Sequence, residues 1–450
     1  MTYLTRPFFD FLFAVAPYGL PLLVIDLLAL YLMIFKERFE PRTLIFWVAI
    51  VIVVPFLGFA LYMVFGNTLF AGRTFGRKSA DDRRFMDADG HGEGPEDAKV
   101  MRSAGADVCT GGNSVRLYWN RDWMEPDALE DLESAERSIH LMFRRMPHDS
   151  DPLVPILIRK ASEGIDVRLM TSSLGFGRTR GVRELKRAGV RFCTFHNPLY
   201  SLLSVRPAYR NMRSLVVVDD RVAYQGRGAI SRVEGPAAAR LELRFRADWL
   251  HGSGEDMGTE VRVQHGEGGG EWAQVVSAGP DCDGSPMASC YTEIVTGARR
   301  ILRISMPYLM PNDEIYSAIK LAVLSGVEVI MLLPRRGRHW YQSWNSLAAS
   351  NPLMMAGVRV YFADKSLSKC TLSADGKVCC IGSGNYCGRA LRNDFNTGVV
   401  VHSEDVAGAM DGCFDRELED AVECLPEEYV RRSFADRVRI VVARFLMFLN

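Results

Sequence analysis

One segment of this chain is written twice. Asn211-Met212-Arg213-Ser214-Leu215-Val216-Val217-Val218-Asp219 has an altered counterpart in Leu367-Ser368-Lys369-Cys370-Thr371-Leu372-Ser373-Ala374-Asp375. Each copy has the pattern of a short strand and a turn leading into a glycine cluster, Gly226-Arg227-Gly228-Ala229 in the first and Gly382-Ser383-Gly384-Asn385 in the second. The likeness extends outward. A helical pattern over 127–138 leads to an apolar strand at 139–143, as 288–299 leads to 301–306. Residues 156–164 feed a strand at 166–170, as 318–326 feed 328–333, and Ala188-Gly189-Val190-Arg191-Phe192 answers Ala356-Gly357-Val358-Arg359-Val360. Helices of this length alternating with apolar strands specify an α/β class with a sheet in each half. A repeat of long period that occurs only twice means a duplicated domain and not a solenoid.

The N-terminal part of the 450 residues differs in character. Residues 20–35 are apolar apart from Asp26, the run extends back to Phe11, and residues 44–65 carry no charge. At about 1.5 Å per residue, the second run is long enough to cross a hydrocarbon core of about 30 Å. The connection Lys36-Glu37-Arg38-Phe39-Glu40-Pro41-Arg42 leaves room only for a tight hairpin. These features predict a membrane anchor over 1–72 with two transmembrane helices, at about 11–35 and 44–65. Two runs without a small-residue cleavage site argue against a signal peptide. Arg6, Arg73, Arg77, Lys78, Arg83 and Arg84 flank the hairpin, against Lys36, Arg38 and Arg42 in its loop, which places the main body in the cytoplasm.

Residues 73–110 turn acidic and glycine-rich without an apolar period, the pattern of a disordered linker. A second glycine-rich stretch, 251–270, divides the repeat into halves at 111–270 and 271–430. In 431–450, Val438, Val441, Val442, Phe445 and Leu449 share one helical face, with Arg437, Arg439 and Arg444 elsewhere. That amphipathic helix suits either a membrane interface or docking on the body. Lys+Arg and Asp+Glu both number 54, so no global basic field exists to collect nucleic acid. The ten cysteines include no CxxC pair and have the pattern of reduced thiols. Cys370, Cys379, Cys380 and Cys387 lie close in sequence, but adjacent strand residues face opposite ways and no fourth ligand is evident. They are predicted to be small buried thiols, with no metal and no cofactor.

The duplicated segments resemble the two HxKxxxxD motifs of the phospholipase D superfamily, which come one from each half of a duplicated domain. Asp219 and Asp375 match the motif aspartates, but Met212 and Ser368 stand at the histidine positions and Ser214 and Cys370 at the lysine positions. Leu61-Tyr62-Met63-Val64-Phe65-Gly66, Ser277-Ala278-Gly279-Pro280-Asp281 and Met306-Pro307-Tyr308-Leu309-Met310-Pro311 look like stretches of bacterial cardiolipin synthases, so the resemblance covers nearly the full length. It implies two phospholipase-D-like α/β sandwich halves with pseudo-twofold symmetry, preceded by a two-helix transmembrane hairpin in a bacterial cell membrane. It further implies the joining of two phosphatidylglycerols into cardiolipin with release of glycerol.

In such relatives one histidine attacks the phosphodiester while the other serves the leaving and entering alcohols. The lysines neutralise charge on the phosphoryl oxygens. Met212 has no proton to exchange and Ser214 has no charge. Strand alternation points Arg213 and Lys369 away from the pocket. Cys370 or Ser368 as a substitute nucleophile has no histidine near it in sequence; only His148 and His196 sit by strand ends that face the cleft. The resemblance has Asp219 and Asp375 orient the opposite histidine, whereas as residues they equally suit the turns they begin. It puts Gly226, Gly228, Gly382, Ser383 and Asn385 on the phosphate side, with Ala229 in place of an asparagine and Cys387 in place of an aspartate. The expectation is a pseudoenzyme that binds anionic phospholipid, phosphatidylglycerol or cardiolipin, and partners an active synthase paralogue. The alternative is a phosphatidyltransferase that works through substitute residues.

Overall fold

The computed structural model describes residues 24–35, 41–54, 57–62, 69–86, 94–172, 180–196, 209–266, 269–282, 284–310, 312–364, 369–385, 391, 393–427 and 432–449. The chain forms two units, one of residues 1–77 with 202–208 and the other of residues 78–201 with 209–450.

In the first unit, residues 24–35 are helical, followed by helices Pro41–Val53 and Leu57–Leu61. Ala29, Met33, Trp47, Val51 and Tyr62 form its core. Among the described residues no helix is long and apolar enough to cross a membrane, so the predicted two-span hairpin finds no support there. The run 44–65 is divided between two helices where the sequence carries Pro55, a residue without an amide hydrogen whose ring disrupts the preceding turn. The chain then doubles back. A Cβ on Gly58 would stand 2.6 Å from the Ile50 carbonyl oxygen, so only glycine permits that approach. Residues 11–23 of the first predicted span lie outside the described residues.

The second unit is built on a fifteen-strand ladder. Its strands are β1 Cys109–Tyr118, β2 Ser138–Phe143, β3 Asp166–Thr171, β4 Arg191–Thr194, β5 Leu215–Val218, β6 Val222–Arg227, β7 Ala229–Glu234, β8 Glu271–Ala278, β9 Ile301–Ser305, β10 Glu328–Pro334, β11 Arg359–Ala363, β12 Cys370–Ala374, β13 Val378–Gly382, β14 Asn396–His402 and β15 Ala421–Cys424. The order is β15-β11-β10-β9-β12-β13-β14-β8-β1-β7-β6-β5-β2-β3-β4. Read outward from the β1–β8 seam, each side repeats the same sequence of strands, with β15 added at one edge. β2–β4 and β9–β11 are parallel and joined by helices; β5–β7 and β12–β14 are antiparallel meanders. The two expected sheets are thus one hydrogen-bonded ladder, because β1 pairs with β8 across the duplication. Strands β6 and β7 also pack on β13 and β14.

Two further features depart from the sequence expectation. The stretch predicted as a disordered linker contains helices Leu69–Met86 and Glu96–Ser103, with Lys78, Phe85, Ala98 and Met101 buried; its acidic centre, 87–93, lies outside the described residues. The other is helix Pro236–Ser253, in which every residue from Pro236 to Trp249 is buried despite three arginines and two carboxylates. Each charge meets a partner: Arg240 meets Asp107 (2.8 Å), Glu242 meets His140 (2.9 Å), and Arg244 meets Asp82 (2.7 Å) and Asp248 (2.9 Å). Arg246 bonds Glu242 at 2.6 Å and Asp248 bonds Arg213 at 2.7 Å. Buried charges are tolerated when paired in this way. The linker helix joins the same network, Lys78 reaching Asp82 (2.8 Å), Asp248 (3.0 Å) and Asp281 (2.8 Å).

Candidate functional site

The repeated segments occupy equivalent places, β5 beside β6 and β12 beside β13. Gly226 donates its amide to the Ser214 carbonyl at 3.3 Å, and Cys370 is paired with Gly382 in the corresponding register. The two halves meet here. Met212 donates its amide to the Phe395 carbonyl (2.8 Å), Phe395 donates to Arg210 (2.9 Å), and Gln225 Nε2 donates to the Thr397 carbonyl (2.6 Å). Met212 and Ser214 are half-buried and Cys370 is buried. Ser368 and Cys387 lie outside the described residues.

Alternation holds at the flanking cations. Arg213 turns into the interior, where it bonds Asp248, Thr397 Oγ1 (3.0 Å) and the Asn396 carbonyl (3.3 Å). Lys369 pairs with Glu417 and lies over the Trp119 ring at 4.7 Å. Neither replaces a missing lysine.

Both aspartates are structural. Asp219 accepts the backbone amides of Glu136, Arg137 and Ser138, each at 2.8 Å, and so holds the start of β2. Asp375 does the same at the start of β9, accepting from Arg299 (2.7 Å), Arg300 (2.8 Å) and Ile301 (2.9 Å). Each sits at φ 56°, in the left-handed region that asparagine and aspartate tolerate. These bonds are those of turn anchors, which the positions at the strand turns already suggested. Burial raises the Asp375 carboxyl, but the three amides outweigh it and hold the group below its ordinary range.

The glycine clusters are equally tied to backbone geometry. Gly226 has φ 128° and a Cβ there would lie 2.4 Å from the Ala229 carbonyl oxygen; Gly228 has φ 90°. In the second half, Gly382 lies against Gly398, and Ser383 Oγ is bonded to Asn396 and Thr397. Asn385 is buried.

No described histidine is paired with Ser214 or Cys370. His140 is bonded to Glu242, His148 to Ser150 (2.8 Å), and His196 to the Tyr209 carbonyl (2.5 Å). His251 packs on Phe195, His265 is exposed, His339 stacks on Tyr341, and His402 approaches Asp97. Burial lowers both His196 and His251, the latter to about 4.

The strand ends hold arginines that the motif comparison passes over. Arg144 and Arg145 follow β2, Arg227 ends β6, Arg210 precedes β5, and Arg338 lies in the loop after β10. Burial lowers Arg144, and the charges of Arg227, Arg338, Arg210 and Arg145 lower it further. Burial likewise lowers Arg227, with Arg338 and Arg145 adding to the effect and Cys370 and Tyr308 opposing it. No carboxylate is paired with Arg144 or Arg227 among the described residues. Arg144 and Arg227 are half-buried, and Arg145 and Arg338 are exposed; guanidiniums gathered in this way attract an anion, and their planar forks match phosphate oxygens. The sequence signal was available: paired arginines just past strands β2 and β10, at the strand ends where α/β sheets place ligands.

A duplicated α/β body with paired motif strands is the class the fold defines, and the chain is similar to the phospholipase D superfamily. Residues 291–418 match the family model for the cardiolipin synthase, PLD-like domain, and residues 24–67 match the phospholipase D-nuclease N-terminal model. The chain is 26% identical to a cardiolipin synthase of Clostridium perfringens, over 91% of this chain and 94% of that protein. It is also 26% identical to the major cardiolipin synthase of Bacillus subtilis, over 94% and 97%. Among solved structures, the phosphatidylserine synthase of Haemophilus influenzae has a similar fold, with TM-score 0.54 and 9% identity over 74% of this chain and 92% of that one.

Proposed function

We propose that this protein is a cardiolipin-synthase-like member of the superfamily that has lost phosphatidyl transfer and retains anionic headgroup binding, acting beside an active synthase at a bacterial membrane. One observation carries the reading. The strand ends gather Arg144, Arg145, Arg227 and Arg338 as cations for a phosphate, yet among the described residues no histidine is paired with Met212 or Ser214 to attack or protonate it. Phosphatidylglycerol and cardiolipin are the fitting ligands, since the named relatives are cardiolipin synthases. Membrane attachment is supported by exposed apolar side chains of the first unit, among them Leu27, Tyr31, Phe35, Ile45 and Val53.

The test uses full-length protein in mixed micelles and on vesicles. Phosphatidylglycerol should yield no cardiolipin above a no-protein control, with an active synthase run in parallel. Binding to phosphatidylglycerol vesicles should exceed binding to phosphatidylcholine vesicles and weaken with salt. Arg227→Ala should weaken it about tenfold, as expected when one charge-assisted phosphate contact is lost. Cardiolipin formation that disappears in Cys370→Ala would instead establish the transferase reading.

A further inference from the structure

A second site lies away from the motif strands. A cavity of about 600 Å³ is enclosed by the loop after β10, helix Trp340–Met354, edge strand β15 and Arg432. Its floor is apolar, with Trp344, Leu347 and Phe362; its mouth carries Arg335, Arg336 and Arg432. Arg432 lies over the Trp344 ring at 5.8 Å, and its Nε is buried without a hydrogen-bond partner. Arg335 meets only the exposed Asp364, at 3.1 Å. The nearby carboxylates are already engaged: Glu423 holds Arg359 (3.2 Å) and Tyr361 (2.8 Å), and Asp436 holds Arg439 (2.9 Å).

Exposed apolar side chains surround the cavity. Helix Phe434–Leu449 docks on helix Trp340–Met354 through the buried Ile440 and Ala443, while Phe434, Val438, Val441 and Val442 are exposed on its other side. Trp340, Val422 and Leu425 extend that exposed rim. The two readings of the C-terminal helix are therefore compatible, since one face docks and the other remains apolar and open.

We infer that this cavity takes a single anionic phospholipid drawn from the membrane surface, its phosphate on Arg336 and Arg432 and an acyl chain along Trp344, Leu347 and Phe362. Apolar lining would accept any amphiphile; the arginines at the mouth, with Arg432 Nε left without a hydrogen bond, select a negatively charged one. The inference is independent of the headgroup cleft, because Arg227, Met212, Ser214 and Cys370 do not line the cavity.

The test is equilibrium binding of radiolabelled lysophosphatidylglycerol to the full chain in neutral-detergent micelles, at concentrations below those that occupy the cleft in an Arg227→Ala background, where cleft binding is weakened about tenfold. One saturable site should remain there. Arg336→Ala with Arg432→Ala should weaken it about tenfold or more, as should Leu347→Trp, which fills the cavity, whereas Leu347→Met should not. Lysophosphatidylcholine should compete poorly and glycerol phosphate not at all. Equal competition by lysophosphatidylcholine would overturn the charge selection, and competition by glycerol phosphate would reduce the site to a plain anion site. Binding that ignores both the arginine pair and the cavity-filling change would overturn the inference outright. If Leu347→Trp fails to fold, the arginine pair decides.

Discussion

Asp219 and Asp375 show how a residue can survive the loss of the chemistry beside it. Their oxygens hold three amides each, so they are required by the turn whether or not a histidine stands in the motif. Asp219→Ala or Asp375→Ala should destabilise the fold by about 2–4 kcal/mol each, through lost charge-assisted bonds and a left-handed backbone that alanine adopts poorly. Urea melts would check this, and headgroup binding by the folded fraction should be unchanged. A variant that melts normally but no longer binds lipid would return the aspartates to the site. Met212, Ser214 and Cys370 were legible as missing chemistry from the sequence alone. The arginines that stand in for the lysines were not, because they come from four separate segments that only the ladder brings together.

At the scale of elements, helix Pro236–Ser253 was invisible to hydrophobic patterning, which equates charge with solvent. Its charges are interior, and its stability depends on their pairing. Asp248→Asn should cost about 3–5 kcal/mol by removing the carboxylate that pairs Arg213 and one of the carboxylates shared by Lys78 and Arg244. Two histidines, His140 against this helix and His251 in its last turn, set a pH dependence. Burial alone would lower His140, but Glu242 and Asp166 raise it from 6.5 to about 9. Its contribution is fully present below pH 6.5 and is lost as pH rises through 9, on the order of 3 kcal/mol. His251 runs the other way: burial and Lys78 lower it to about 4, so its contribution is present above pH 6.5 and lost as pH falls through 4. Stability from this pair should peak near pH 6.5. His140→Gln should flatten the alkaline side of a urea-melt series and His251→Gln the acid side; an unchanged profile in both would remove the helix from the account.

At the scale of the molecule, the question is whether the lost chemistry is restorable. Met212→His, Ser214→Lys, Ser368→His and Cys370→Lys together rebuild both motifs in sequence. The restored imidazoles would lack carboxylate partners, since Asp219 and Asp375 are committed to backbone amides. The added lysines would also enter beside Arg227 and Arg144, which burial and neighbouring guanidiniums already lower. Catalytic groups act as a unit, so partial restoration recovers little. The quadruple variant should fold less stably and form no more than trace cardiolipin in micelles; turnover near that of an active synthase would show that the cleft was never remodelled.

Periodicity and repetition in the sequence determined the α/β class, the duplication and the positions of the degenerate motifs, because strand and helix periods are local and a repeat is visible without coordinates. Tertiary structure decided the rest. It closed two sheets into one ladder at β1 and β8, broke the run 44–65 into two helices, and buried a charged helix by supplying each charge with a partner distant in sequence. It also gathered arginines from separate strand ends into one cleft. Pairing between distant charges leaves no periodic trace, so only the folded chain reveals which charges are solvated, which are structural and which remain open to a ligand.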